Sequence, residues 1–135
     1  MKKLTYIILL ISLYSCNKLD YSNVQICNRS LDDIQGNKLV MLSDSECGYC
    51  QLAYKDIAKA NFKNLSIVIV DYSSKQKGNN EFVFVDGNEC NKVEKPDFFP
   101  QVFLFNKENK LIWKKRGWFD ENIEEIKNRI NSNSH

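Results

Sequence analysis

Apolar residues follow two different periodicities along this chain, and each periodicity predicts one kind of element. Residues 39–42 and 65–70 are short, continuously apolar runs, and the second is rich in β-branched side chains, as buried strands are. From Cys50 to about Phe62 the apolar residues recur at helical spacing, which predicts an amphipathic helix. The order strand, helix, strand is that of an α/β domain.

The C-terminal half of the chain predicts a hairpin followed by a last helix. Ile123, Ile126 and Ile130 form one apolar stripe at helical spacing, and we expect Asp120 to cap that helix. Residues 106–109 have the composition of a turn. Four further segments have the composition of short strands: residues 24–27, 81–85, 101–105 and 110–115.

The N-terminus has the three-part organisation of an export signal. A basic start at Lys2 and Lys3 precedes an apolar run that is too short to span a bilayer comfortably. The run ends in Leu-Tyr-Ser-Cys16, which resembles the bacterial lipobox, where the peptidase cuts before the cysteine and the cysteine carries the lipid. We therefore expect a lipoprotein with an acylated Cys16. The alternatives are an ordinary secretory signal and an uncleaved anchor.

Removal of the expected signal peptide, residues 1–15, leaves a chain of one domain's length. We expect a lipid-anchored tether at 16–23 and a single domain at 24–131. The numbers of basic and acidic residues in this remaining chain are then equal, so no net positive charge indicates a phosphate-binding surface. We therefore expect no nucleic-acid partner. The expected location is the cell envelope, on the extracytoplasmic face of a bacterial membrane, and the expected state is a monomer.

The candidate chemistry lies in Cys47-Gly48-Tyr49-Cys50, where the strand gives way to the helix. Two thiols at this spacing can close a small disulfide, and the positive end of the helix dipole favours the thiolate of the first. This is the chemistry of thiol–disulfide exchange, which needs no cofactor beyond the disulfide. We expect Cys47 to attack and Cys50 to resolve the mixed disulfide.

Cys27 and Cys90 remain as a second pair once Cys16 carries a lipid. A bridge between them would close a long loop and would stabilise the domain by about 4 kcal/mol in the chain-entropy model. Two separate buried thiols are the alternative. Zinc bound by these two and the C-x-x-C pair is a further alternative, but export and their unpaired spacing argue against it, so we expect no metal.

The order strand, C-x-x-C, helix, strand, proline-led hairpin and terminal helix resembles the thioredoxin fold over most of residues 37–130. Pro100 matches the cis-proline position of that family, and Gly117 matches its glycine after the hairpin. The Cys-Gly-Tyr-Cys tetrad, with Asp44 three residues before it, is similar to periplasmic disulfide isomerases of the DsbC type. The resemblance implies a three-layer fold with a central mixed sheet flanked by helices.

The same resemblance implies how substrates are held. A cis peptide between Phe99 and Pro100 is expected to face Cys47, and Tyr49, Phe98 and Phe99 are expected to form an apolar rim. The substrates would be protein thiols and disulfides, with an unidentified redox partner. A position in the core is the equally open alternative for Phe98.

Departures from the family pattern support a second hypothesis. Met41 stands where thioredoxins carry a buried acid, so Asp44, Glu46 or water would have to accept the proton of the second cysteine. The segment between Val70 and Pro100 is longer than in a minimal thioredoxin and is a candidate partner-specific flap. A non-catalytic binding lipoprotein with a merely structural Cys47–Cys50 bridge is therefore the alternative function.

Overall fold

The computed structural model describes residues 25–26, 29–73, 82–89 and 96–134. Two very short strands, β1 (Gln25–Ile26) and β2 (Arg29–Ser30), pair with each other in antiparallel orientation. The main sheet has five strands: β3 (Asn37–Ser43), β4 (Leu65–Asp71), β5 (Val83–Asp86), β6 (Gln101–Phe105) and β7 (Leu111–Arg116). Two helices accompany it: α1 (Gly48–Ala60) and α2 (Asn122–Ser132).

Strand β3 lies at the centre of the sheet, whose order is β5-β4-β3-β6-β7. It pairs in parallel with β4 and in antiparallel with β6, so the sheet is mixed. The register places Ser43 opposite Asp71 on β4 and Leu42 opposite Gln101 on β6. The end of β3, the end of β4 and the start of β6 therefore meet at one edge, and α1 begins just beyond that edge.

One face of the sheet carries both helices. Because side chains alternate along a strand, every second residue of β3, β4 and β6 points to this face. The core that these residues form with α1, α2 and Trp118 includes Leu39, Met41, Ala53, Ile57, Ile67, Ile69, Val102, Leu104 and Ile126. Complete burial of one such aliphatic side chain contributes about 1.5–3 kcal/mol. Ile123 and Ile130 pack against the same core, which confirms the predicted apolar stripe.

The opposite face buries a smaller cluster. A 3-10 turn at Leu31–Asp33 covers it, together with the loop residues Ile34, Tyr72 and Phe99. The buried members of this cluster are Leu31, Val40, Val68, Val70, Tyr72 and Phe105. The mixed sheet of the predicted α/β fold is confirmed, and in the described part of the chain the layer on this face is a 3-10 turn with loops instead of an α-helix.

The helix boundaries differ from the predicted ones. Helix α1 begins at Gly48 because Cys47 acts as its N-cap, and it ends at Ala60 because Asn61 adopts the left-handed conformation with φ 48°. The expectation that Asp120 caps α2 is wrong. Glu121 holds the N-cap position without a side-chain bond, and Asp120 lies in the turn before it.

Several predictions fall outside the described residues. The signal peptide at 1–15, the tether at 16–23 and much of the segment after Val70 belong to this group. Across the residues that the structure does describe, we find no helix that is long and apolar enough to cross a membrane.

Candidate active site

The C-x-x-C segment lies where β3 ends and α1 begins. Cys47 is the N-cap, with extended backbone angles of φ −81° and ψ 110°, and its Sγ accepts the backbone N–H of Cys50 at 3.2 Å. The two cysteines form a disulfide, with their Cα atoms 5.2 Å apart. The first sulfur thus lies at the N-terminal end of α1, where a negative charge is favoured.

A short hydrogen-bonded loop fixes the position of Cys47. The backbone carbonyl of Asp44 accepts the amide of Cys47 at 3.1 Å, and the side-chain carboxylate of Asp44 accepts the amide of Glu46 at 3.0 Å. The side chain of Gln51 donates back to the Ser45 carbonyl at 3.4 Å. The Asp44 carboxylate is therefore engaged in the turn, which is a structural role for this candidate proton acceptor.

The two sulfurs differ strongly in exposure. Cys47 is partly exposed, whereas Cys50 is 0% exposed. In the reduced protein the pKa of the Cys50 thiol is raised to about 12, mainly by burial and in addition by the hydrogen bond and charge of Cys47. The Asp44 amide and the Ser43 hydroxyl act in the opposite direction. Only Cys47 can meet a substrate, and Cys50 stays protonated at neutral pH until it reacts.

The position of the missing acid is apolar. Met41 is 0% exposed and belongs to the helix-side core, so this side chain offers the second cysteine no proton acceptor. Behind Cys50 the described structure instead places the hydroxyl of Ser43, which shares a hydrogen bond with the hydroxyl of Tyr54. Neither residue is predicted from the sequence as part of the site. The sequence feature that could have indicated them is the position of Tyr54, which lies four residues after Cys50 and hence on the same face of the helix.

The Phe99–Pro100 peptide is cis, as predicted. Pro100 immediately precedes the residue that pairs with Leu42, so the sheet register places it at the same edge as the start of α1. Its carbonyl accepts the amide of Gly117 at 2.8 Å, and Gly117 has a φ of +87°, which favours glycine. The Phe99 ring is half-buried and packs on Tyr72, with 5.7 Å between ring centroids.

Exposed aromatic side chains surround this edge. Tyr49 is 65% exposed, Phe98 47% and Phe119 49%, so a core position for Phe98 is ruled out. A Cβ added at Gly117 would lie 3.1 Å from the Phe119 ring and 3.8 Å from the Phe98 ring, which places both rings beside the Pro100 contact. Phe119 was missed because its exposure depends on the turn before α2.

The remaining cysteines lie outside the described residues: Cys16, Cys27 and Cys90. Their lipidation and pairing therefore stay predictions. Among the described residues, no group of three or more His, Cys, Asp or Glu side chains is arranged to hold a metal ion.

Comparison with known proteins gives matches at the level of structure. No protein-family model and no curated protein matches the sequence. The protein assigned as the thiol:disulfide interchange protein DsbE of Chlorobium tepidum matches with a TM-score of 0.55 and 16% identity, over 76% of this chain and 82% of that one.

Two further solved structures match in the same way. A protein assigned as a thioredoxin in Neisseria meningitidis gives a TM-score of 0.54 and 17% identity, over 78% of this chain and 81% of that one. StoA from Bacillus subtilis gives a TM-score of 0.51 and 16% identity, over 70% of this chain and 83% of that one. At such identities the likeness concerns the fold, and the chain accordingly has the thioredoxin fold.

Proposed function

We propose that this protein is a thiol–disulfide oxidoreductase of the cell envelope that exchanges disulfides with protein substrates through Cys47 and Cys50. The observation that carries the proposal is the asymmetry of the pair, in which a partly exposed N-cap sulfur is bridged to a fully buried one. The name of the interchange protein with the same fold agrees with this chemistry.

The exchange proceeds in two displacements. The thiolate of Cys47 attacks one sulfur of a substrate disulfide, forming a mixed disulfide while the other substrate sulfur leaves and takes up a proton. Cys50 then loses its proton and attacks the Cys47 sulfur, and the second substrate sulfur leaves as a thiol. The substrate disulfide is thereby reduced to two thiols and the Cys47–Cys50 pair is oxidised. The reverse sequence oxidises a substrate dithiol.

The substrate would lie across the edge where α1 and β6 begin. In this proposal Tyr49 supplies an exposed aromatic contact, and Phe99 and Pro100 present their backbone to an extended substrate segment. The exposed rings of Phe98 and Phe119 extend the same apolar rim. Such a rim suits unfolded or peptide-like substrates, whose apolar side chains are accessible.

The lipid anchor belongs to the same proposal. Cys16 would carry the lipid, residues 16–23 would form the tether, and the domain at 24–131 would stand at the extracytoplasmic face of the membrane. The lipobox-like Leu-Tyr-Ser-Cys16 supports this. Lipid labelling of the wild type and of Cys16→Ser tests it, since only the wild type should carry label. Equal label in both, or none in either, contradicts lipidation.

Trapping of mixed disulfides tests the catalytic roles. Cys50→Ser should accumulate mixed disulfides with substrates in cells, because attack by Cys47 survives and resolution is lost. Cys47→Ser is the matched control, and it should trap nothing and lose exchange with a model disulfide. If Cys50→Ser traps nothing while Cys47→Ser retains full exchange, the binding lipoprotein with a structural bridge becomes the better description.

A further inference from the structure

Two hydroxyl groups lie behind the resolving cysteine, one on the buried Ser43 and one on the half-buried Tyr54. Ser43 is the last residue of β3 and is 0% exposed, as is Cys50 in the first turn of α1. Tyr54 stands one helical turn after Cys50, on the same face of α1, and its hydroxyl shares a hydrogen bond with that of Ser43. A hydrogen bond from the Ser43 side chain also acts on the pKa of the Cys50 thiol and lowers it. The Cys50 sulfur, the Ser43 hydroxyl and the hydroxyl of the half-buried Tyr54 thus form one chain of polar groups.

The charged surroundings favour one direction of donation along this chain. Burial raises the pKa of Tyr54, and the negative charges of Cys50, Asp71 and Cys47 raise it further, so the phenol keeps its proton. Asp71 is 3% exposed, lies opposite Ser43 in the register, and accepts both the hydroxyl and the amide of Ser73. A tyrosine that stays protonated can donate to Ser43, which leaves the Ser43 proton available to the sulfur.

This chain of polar groups occupies the place where a proton-handling group is needed. Met41 has no polar atom that could handle a proton, and the Asp44 carboxylate is engaged with the Glu46 amide. Within the described residues, the donors that act on the Cys50 sulfur are the Ser43 hydroxyl and the Asp44 amide. A buried sulfur that must become an anion gains most from such donors, because Cys50 is 0% exposed and bulk water does not solvate it.

We propose that Ser43 and Tyr54 are positioning residues for the resolution step: Tyr54 orients the Ser43 hydroxyl, and Ser43 donates to Cys50 as its thiolate forms. This inference rests on the proposed exchange through Cys47 and Cys50. In the step itself, the Cys50–Cys47 S–S bond forms and the Cys47–substrate S–S bond breaks. The proton released by Cys50 ends on the leaving substrate sulfur, so both hydroxyls finish unchanged.

Glutathione disulfide can separate attack from resolution. The full-length reduced chain is mixed with it, samples are quenched in acid, and the peptide that contains Cys47 and Cys50 is followed by mass. Appearance of the glutathione adduct reports attack by Cys47, and its conversion to the internal disulfide reports resolution by Cys50. Because only this peptide is scored, the other cysteines do not contribute to either rate.

Ser43→Ala should slow resolution by about tenfold and displace its pH profile upward by about one unit, while the attack rate stays unchanged. Tyr54→Phe should slow resolution by a smaller factor, about threefold, because the Ser43 hydroxyl remains but is less well oriented. A purely structural role for the hydroxyls would move both rates together or only lower the thermal midpoint.

Two matched controls remove hydroxyls of the same kinds elsewhere. Tyr72→Phe deletes a buried phenol that has no hydrogen-bond partner among the described residues, and Ser66→Ala deletes a hydroxyl bonded to the Gln35 carbonyl. Resolution in Ser43→Ala and Tyr54→Phe within twofold of these controls overturns the inference. Failure of the wild type to form any adduct would instead contradict the exchange function itself, so the two failures are distinguishable.

Discussion

Each end of β3 buries a polar side chain, Lys38 near the start and Ser43 at the end. The comparison of the two shows which buried polar group stabilises the fold and which belongs to the reactive site. Near its start, Lys38 is 1% exposed, and its ammonium donates to the Asn109 side chain, whose own amide donates to Asp32. At its end, Ser43 is 0% exposed, and its hydroxyl bonds to that of Tyr54 and lowers the pKa of the Cys50 thiol. The first network contains only groups that keep their bonds, whereas the second reaches a sulfur that exchanges its covalent partner.

The two networks also lie on opposite faces of the sheet. Lys38 lies on the same face of β3 as Val40 and points toward the 3-10 turn. Ser43 lies on the same face as Met41 and points toward α1. Changes at the two ends should therefore act independently, as sites without shared partners usually do. A buried polar group on this strand thus indicates function only where it meets a group that reacts.

The pH dependence of resolution should show the largest effect. Burial, which persists in the mixed disulfide, is the main reason that the pKa of Cys50 is raised to about 12. The reactive thiolate is then a minor form that increases as the pH rises toward that value, so resolution should accelerate by up to about tenfold per pH unit. Stopped-flow measurement should find no plateau between about pH 6 and pH 9. A plateau near neutrality would mean that Cys50 is not held as a thiol.

The Lys38 end should respond in stability alone. Asn109→Gly removes the amide that binds the buried ammonium yet keeps the positive φ of 61° at this position. We expect the free energy of unfolding to fall by about 2–3 kcal/mol, as for the loss of a hydrogen bond to a charged group. Denaturant unfolding measures this change. Glutathione exchange on the folded variant should match the wild type, and a slowed attack or resolution would show that the two ends are coupled.

Gly117 offers a test within the active-site edge. An alanine there would adopt an unfavourable φ of +87° and would press on the Phe119 ring, 3.1 Å from the new Cβ. Gly117→Ala should therefore lower the unfolding free energy by about 1–2 kcal/mol. If stability is unchanged, Gly117 does not have the left-handed conformation and the close contact with Phe119 described for it.

Gly48, inside the Cys-Gly-Tyr-Cys tetrad, should tolerate the substitution that Gly117 does not. No atom lies within 4 Å of a Cβ built at this position, and Gly48 lies in the first turn of α1. Gly48→Ala should leave the fold intact and change the unfolding free energy by at most about 0.5–1 kcal/mol, in the stabilising direction. A marked loss of stability would indicate a contact that the described structure does not contain.

Elements defined by local pattern were predictable from the sequence. The β-branched run at 65–70 is a central strand, and the tetrad lies at the predicted junction of strand and helix. Helix ends were less predictable: Asp120 is the favoured type of N-cap residue, yet the turn geometry puts Glu121 at the N-cap position.

The interior of the site could not be read from the sequence. Ser43 follows an apolar run as any loop serine would, and Tyr54 occupies a helix position where aromatic residues are usually core. Their contact arises only when β3 and α1 pack against each other. The exposure of Phe119 likewise depends on the turn before α2, where its amide donates to the Asn122 side chain at 2.7 Å.

The reduction potential of the Cys47–Cys50 couple tests the central claim most directly. The partly exposed Cys47 should let the couple equilibrate readily with glutathione or dithiothreitol buffers. We expect a potential between about −270 and −120 mV, the range spanned by exchange proteins. A bridge that resists mild reductant, with a potential below about −300 mV, would contradict this account and identify the disulfide as structural.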